Sequence, residues 1–166
     1  MEMSIFRGIP FTAPPLGELT GPGSLIIPWL VPAYMVMLEA VSKQGCNGYA
    51  CIFDHVPANW KKEGFASVHA LELPYVFGDW DDSTGWWQAM QMSFQESGVK
   101  NPDPGLNTTD KKISEAMMGL WTEFAKTGKP KVQGVPNWPP YTPANDSYLY
   151  IGGTLEVRTG YSKLPD

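Results

Sequence analysis

The feature that most constrains the fold is an apolar run of strand length, Tyr49–Asp54, which reads Tyr-Ala-Cys-Ile-Phe-Asp. A short continuous apolar run is typical of a strand buried on both faces, because a strand with one wet face would alternate apolar and polar residues. Such a strand needs cover above and below the sheet. Two helical patterns accompany the strand, at Pro32–Gln44 and Thr109–Thr127. We therefore predict an α/β fold.

The helical pattern is clearest in Thr109–Thr127, where apolar residues recur along one helix face. Thr109 suits the cap of this helix, and Asp110 suits the positive end of its dipole. Gly128 and Pro130 are typical of a helix end. The apolar stripe predicts packing against a sheet or core, and it consists of Ile113, Ala116, Met117, Leu120, Trp121, Phe124 and Ala125.

The carboxyl end predicts a β-hairpin. Residues 148–151 and 154–157 flank Gly152-Gly153, which has the composition of a two-residue hairpin turn. The segment Ser147–Ile151 could also add to an existing sheet edge. The length of 166 residues suits a single domain over 1–166, with few strands and two main helices.

Composition excludes several classes of protein. The 43% hydrophobic content argues against disorder, and the formal net charge of −5 provides no basic surface for nucleic acid. The most apolar run, Leu25–Leu38, is interrupted by Pro28 and Pro32 and is shorter than the ~20 residues of a membrane-spanning helix. The start, Met1–Ser4, lacks the regions of a signal peptide. We expect a soluble, cytoplasmic protein that binds neither nucleic acid nor membrane.

The two cysteines, Cys46 and Cys51, match no zinc-binding spacing, and neither histidine lies at a partner spacing. We interpret both as reduced structural thiols, with Cys51 inside the predicted strand. No metal and no organic cofactor are expected.

The main candidate for chemistry lies in Gly64–Gly78, which carries His69 between a small-residue loop and an apolar run. A histidine has an unperturbed pKa of about 6.5 and can act as a general base near neutral pH. The alternative is a loop histidine that bonds a backbone carbonyl. The other histidine, His55, follows the predicted strand directly, and we interpret it as structural.

The segment Asp79–Pro104 is acidic and rich in tryptophan. Its large apolar side chains could line a pocket for an acyl or aryl group, or they could fill a core, as dense aromatics more often do. The side chains concerned are Trp80, Trp86, Trp87, Met90 and Phe94.

Several segments resemble, in the same order, those of one family. They are Phe6–Leu19, Gly64–Gly78, Leu120–Pro130 and Trp138–Thr142. Together they resemble the type-B carboxylesterases, the cholinesterase-like branch of the α/β-hydrolases. The resemblance covers an amino-terminal segment at about 6–19 and a carboxy-terminal segment at about 32–157. Family members are several hundred residues long, so the chain resembles an esterase that lacks its central region.

The resemblance implies a carboxylic-ester hydrolase in which His69 is the base. Such an enzyme also needs a nucleophilic serine, a carboxylate that orients the histidine, and backbone donors for the oxyanion. The nucleophile elbow of the family, G-x-S-x-G, does not occur in this sequence. Ser24, in a flexible Gly-Pro-Gly-Ser stretch, is the first substitute nucleophile, and Ser67 is the second.

The orienting carboxylate could come from Asp54, Glu72 or Asp79. The aromatic surroundings of His69 favour small or aryl esters as substrates. All of these residues also have a structural interpretation, since serine and aspartate in turns usually bond the local backbone.

Three hypotheses follow. The chain is an ester hydrolase, with a rebuilt site or a completing chain; or it is a non-catalytic esterase remnant that binds a partner or itself; or it is a fragment with no function of its own. A strand suited to cover on both faces would expose an apolar patch if the missing central region left it uncovered. The first two hypotheses therefore predict a homodimer or a completing chain as partner, and the first adds a small-molecule ester substrate.

Overall fold

A computed structural model describes residues 30–68, 70–79, 85–96 and 103–164. Within these ranges the chain forms five α-helices and three strands. In chain order they are α1 Leu30–Lys43, β1 Cys51–Phe53, α2 Ala58–Lys62, α3 Leu73–Phe77, α4 Gly85–Glu96, α5 Thr108–Thr127, β2 Ser147–Ile151 and β3 Leu155–Thr159, followed by a 3₁₀ turn at Tyr161–Lys163.

The sheet has the order β1-β2-β3. β1 pairs with β2 in parallel, with Cys51 opposite Leu149, and β2 pairs with β3 antiparallel, with Ile151 opposite Leu155. The predicted strand at 49–54 is present, but only residues 51–53 belong to the ladder, and these three residues are half-buried where full burial was predicted. The segment 147–151 is both a hairpin strand and an addition to the sheet, and it forms the central strand among those described.

The predicted hairpin is confirmed, but its turn is longer than predicted. The strands end at Ile151 and resume at Leu155, so three residues connect them, and the Gly152 amide donates to the Thr154 carbonyl at 3.0 Å. The ladder extends beyond the predicted strand and ends at Thr159.

Helices cover the sheet on both faces. On one face, Leu149 and Ile151 pack in a core with the buried residues of α5, and on the other face Tyr148 packs with Tyr141 and Tyr161. Half-buried Met35 and Leu38 of α1 pack on that second cluster. The alternation of Tyr148, Leu149 and Ile151 between the faces follows from the two-residue period of a strand. The expected α/β architecture is confirmed.

The two predicted helices are present, and the cap of α5 differs from the prediction. Asn107, and not Thr109, caps this helix: its side-chain oxygen accepts from the Thr109 amide at 2.8 Å. The Asp110 Oδ2 accepts from the Asn107 amide at 2.8 Å, which completes a capping box. Asparagine is among the best cap residues because its side chain satisfies an amide that the helix leaves free.

The apolar stripe of α5 is buried only along its first half. Ile113, Met117 and Leu120 are buried, Trp121 and Phe124 are half-buried, and Ala125 is exposed. The carboxyl half of α5 is therefore only partly covered, with the Trp121 ring beside Trp138 and the Phe124 ring beside Tyr49.

The tryptophan-rich segment forms α4, which was not predicted as a helix. Trp87 is fully buried, with ring centroids 5.8 Å from Trp60 and 6.3 Å from Tyr75, so it fills the core. Trp86 and Met90 are half-buried and pack on the same core. Trp80 and the side chain of Phe94 lie outside what is described. Among the described helices, none is both long and apolar enough to cross a membrane.

Candidate active site

The two predicted catalytic residues, His69 and Ser24, lie outside the described residues. The structure instead shows how the chain on both sides of position 69 is held. Val68 precedes this position, and Ala70 follows it and leads into α3.

On the amino-terminal side, Ser67 fixes the loop to the sheet. Its buried hydroxyl donates to the Phe53 carbonyl of β1 at 3.1 Å. The hydroxyl of the second candidate nucleophile is thus engaged with the backbone of the strand, as its structural interpretation expects.

On the carboxyl-terminal side, Ala70 has a left-handed backbone with φ of 67°. The Leu71 amide donates to the Val68 carbonyl at 3.2 Å, and the Leu73 amide donates to the Ala70 carbonyl at 3.1 Å, so two tight turns meet at this residue. A left-handed backbone costs a residue with a Cβ about 1–2 kcal/mol, and such strain persists only where surrounding contacts impose it.

α3 is anchored beneath this loop by its neighbours in the core. Leu71 and Tyr75 are fully buried, and the Ser114 hydroxyl of α5 donates to the Tyr75 carbonyl at 2.7 Å. The Tyr75 hydroxyl donates to the Asp110 Oδ1 at 2.7 Å. Burial, and then the charge of Asp110 and this hydrogen bond, raise the pKa of Tyr75, so the tyrosine remains a donor.

Asp110 is the centre of this buried network. Its Oδ1 lies 2.7 Å from His55 Nε2, and both side chains are buried. Burial alone would raise the pKa of the Asp110 carboxyl, but hydrogen bonds from His55, Tyr75 and the Asn107 amide lower it below the ordinary value. The position of His55 agrees with its structural interpretation, since it joins the end of β1 to the start of α5.

The three candidate carboxylates lie in different surroundings. Asp54 accepts a hydrogen bond from the Tyr150 hydroxyl of β2. At Asp79 the backbone carbonyl, and not the carboxylate, accepts from Trp87 Nε1 at 2.9 Å.

Glu72 is buried, and its Oε1 finds no hydrogen-bond partner among the described residues. Burial raises the pKa of its carboxyl, against an opposing hydrogen bond from its own backbone. Glu72 is the one candidate of the three that is buried, since Asp54 and Asp79 are half-buried.

A cavity of about 360 Å³ opens between α1, β1 and α5. Its wall includes Leu38 and Val41 of α1, Cys51 of β1, and Trp121 and Phe124 of α5. No residue of β2 or β3 lines it, so it lies on the side of β1 that faces away from the rest of the sheet.

Asp110 was predicted only as a residue of the helix start, and its place at the centre of a buried network was not predicted. The spacing of Asn107 and Asp110 is a signal for a capping box. The partners of Asp110 carry no such signal, because His55 and Tyr75 lie 55 and 35 positions away. Both cysteines are free. Within the described ranges, no group of three or more metal-ligating side chains is assembled.

Known proteins share sequence and fold with this chain. The model of the carboxylesterase family matches residues 27–164. The chain is 33% identical to carboxylesterase 3B of Mus musculus over 86% of this chain and 22% of the mouse protein. It is 42% identical to the bile salt-activated lipase of Bos taurus over 80% of this chain and 21% of that protein.

A solved carboxylesterase from Geobacillus stearothermophilus shares the fold, with a TM-score of 0.54 and 24% identity, over 78% of this chain and 23% of that structure. The chain spans about a fifth of the length of the curated relatives it matches. The family match covers α1 to β3, with the anchored loop around position 69 between them. By these matches and this fold, the chain belongs to the carboxylesterase family.

Proposed function

We propose that this chain carries the histidine-bearing part of a carboxylic-ester hydrolase, with His69 as the general base. The serine hydroxyl would lose its proton to the imidazole as its oxygen attacks the ester carbonyl. The imidazole would then return that proton to the departing alkoxide or phenoxide, and water would release the acid in a second round.

The observation that carries the proposal is the fixation of the loop on both sides of position 69. Ser67 bonds to β1, Ala70 is held in a left-handed conformation, and Tyr75 bonds to Asp110. A general base must lie within hydrogen-bond reach of the proton that it removes. A loop anchored to both a strand and a helix supplies that constraint, and family membership supports the reaction class.

For the nucleophile we propose Ser24, and for the substrates small or aryl esters. The support is limited to sequence: Ser24 lies in a Gly-Pro-Gly-Ser stretch, and aromatic residues follow His69.

Hydrolysis of p-nitrophenyl butyrate by the purified chain tests the proposal. The variants are His69→Ala and Ser24→Ala, with Ser42→Ala at an exposed position of α1 and Cys46→Ser as controls. We expect loss of turnover with both variants if Ser24 is the nucleophile, and with His69→Ala alone if another serine of the chain serves. Labelling with a fluorophosphonate probe, followed by peptide mapping, would locate the reactive serine. Turnover that survives His69→Ala would reject the proposal.

The second candidate function is a non-catalytic binding module. The cavity at the outer side of β1 favours it, because this apolar surface exists independently of any catalytic residue. Absence of turnover together with specific binding at the cavity would select this function.

A further inference from the structure

The cavity between α1, β1 and α5 has a largely apolar and uncharged wall. Its volume of about 360 Å³ lies in the range that is common for small-molecule sites. Among the described residues, no charged side chain lines it. A charged group is costly to bury in an apolar site without a partner, so the cavity favours a neutral ligand. The aliphatic part of the wall consists of Met37, Leu38, Ala40, Val41, Leu120 and Pro130.

Four aromatic side chains complete most of the wall, and they contact one another. The Tyr49 ring centroid lies 5.6 Å from that of Phe124 and 5.4 Å from that of Trp138, both edge to face. The ring centroids of Trp121 and Trp138 lie 6.2 Å apart. These contacts fix the four rings relative to one another. A flat aromatic ligand can stack on such rings or meet their edges, which favours it over a flexible aliphatic chain.

The Tyr49 hydroxyl is a group of this wall that can bind a polar atom. Tyr49 is half-buried, and its hydroxyl forms no hydrogen bond with a described residue. The oxygen is open to solvent and not enclosed by the protein. Partial burial raises the pKa of Tyr49, so at neutral pH the hydroxyl keeps its proton and can donate it to an acceptor.

The polar side chains of the wall come from one segment. Gln44, Asn47 and Tyr49 all lie between the end of α1 and the start of β1, and the first two are exposed. The polar side of the cavity is therefore the side that this segment forms, and α5 provides an apolar side. A ligand that matches both sides has an apolar ring and a polar atom at one end.

We propose that this cavity binds a neutral aromatic molecule with one hydrogen-bond acceptor, whose ring packs among Trp121, Phe124 and Trp138 and whose acceptor bonds the Tyr49 hydroxyl. Aryl carbonyl compounds have this composition. The proposal rests on the second candidate function, the binding module, and names its ligand class. It does not depend on ester hydrolysis.

A second copy of the chain fits the cavity less well. Two copies related by a two-fold axis bring the same surface together, so a cavity meets a cavity and both stay unfilled. A small molecule can enter the concave wall and reach the Tyr49 hydroxyl without this constraint.

Two naphthalenes of similar shape test the proposal on the full chain. 1-Acetylnaphthalene carries a carbonyl acceptor, and 1-ethylnaphthalene carries none. Equilibrium dialysis gives the dissociation constant of each compound. Neither compound is an ester, so binding is measured without turnover and its outcome is separate from that of the hydrolysis assay.

Three variants address the wall. Tyr49→Phe removes the hydroxyl and keeps the ring. Val41→Glu places a charge in the wall at a position of α1 that is 36% exposed, where it need not disturb folding. The matched control is Val36→Glu, on the same helix at a position that is 68% exposed and outside the wall. Circular dichroism checks that each variant is folded.

We expect Tyr49→Phe to weaken the binding of 1-acetylnaphthalene by about 3- to 10-fold and to leave that of 1-ethylnaphthalene within about twofold. Val41→Glu should weaken the binding of both compounds by roughly tenfold or more, because the charge would be buried against an apolar ligand. Val36→Glu should weaken neither.

Three results would overturn the proposal. The first is that the unaltered chain does not bind 1-acetylnaphthalene. The second is that Tyr49→Phe affects the two compounds equally, which would reject the ligand class and leave the binding module in place. The third is that Val36→Glu acts as strongly as Val41→Glu, which would place the site elsewhere. A homodimer that excludes both compounds would give the first result, and light scattering would identify it.

Discussion

Asp110 lies 2.7 Å from His55 Nε2, although 55 positions separate the two residues in the chain. The contact joins the residue that follows β1 by two positions to the first turn of α5, and Tyr75 of α3 bonds the same carboxylate oxygen. One buried carboxylate therefore sets the relative positions of a strand and two helices.

Asp110→Ala should lower the free energy of unfolding by about 3–5 kcal/mol, because it leaves the buried donors of His55 and Tyr75 without an acceptor. Urea unfolding at pH 7 measures this change. The matched control is Glu115→Ala at an exposed position of the same helix, expected within about 0.5 kcal/mol of the unaltered chain. Equal effects of the two changes would show that the network contributes little to stability.

Glu72 should make stability fall as pH rises. Its folded pKa is raised, so below the ordinary value of 4.5 both states are protonated and nothing is lost. Above that value the unfolded state ionises first, and stability falls until the folded pKa is passed. Glu72→Gln should therefore gain stability relative to the unaltered chain between pH 4 and pH 7. Unfolding curves at these two pH values test the sign, and a constant difference would contradict it.

Ala70→Gly should be neutral or should stabilise the fold by up to about 1 kcal/mol, because glycine adopts a φ of 67° without the clash that a Cβ causes. The larger freedom of glycine in the unfolded chain offsets part of this gain.

The matched control is Ala125→Gly, at an exposed helical position, which should cost about 1 kcal/mol. Thermal unfolding of the two variants gives the comparison. A larger loss with Ala70→Gly than with Ala125→Gly would show that the left-handed residue is not strained.

The two thiols should differ in their reaction with iodoacetamide at pH 8. Cys46 is exposed, whereas burial, and then the charge of Glu72, raise the pKa of Cys51 to about 12. The thiolate is the reactive form, so Cys51 should stay unlabelled in the folded chain and react after unfolding. Mass spectrometry of the Cys46→Ser variant isolates this thiol. Rapid labelling of the folded variant would contradict the assignment.

The sequence predicts those parts of the fold that depend on near neighbours. The stripe of α5 and the apolar run of β1 were recognised because helix and strand periods appear within a few residues. The first half of the stripe, including Ile113 and Leu120, is buried as expected. The second half is half-buried or exposed. This difference could not be predicted, because the sequence does not say how much of the surrounding structure is present.

Other parts depend on contacts between distant residues. The cap at Asn107 is not one of them, because Asp110 lies only three positions away and completes a local capping box with Asn107. α4 was not predicted as a helix, because its aromatic residues can fill a core in several backbone conformations. The contact of Trp87 with Trp60 selects one of these conformations. The roles of His69 and Ser24 stay predictions.

The parallel pairing of β1 with β2 has a consequence for the order of folding. Asp54 and Tyr150, which bond across the two strands, lie 96 positions apart. A contact that closes so long a loop has a high entropic cost, and it can form only after the chain through β2 has left the ribosome. Until then the edge of β1 that pairs with β2 is exposed, so we expect aggregation during synthesis to depend on how soon β2 is made.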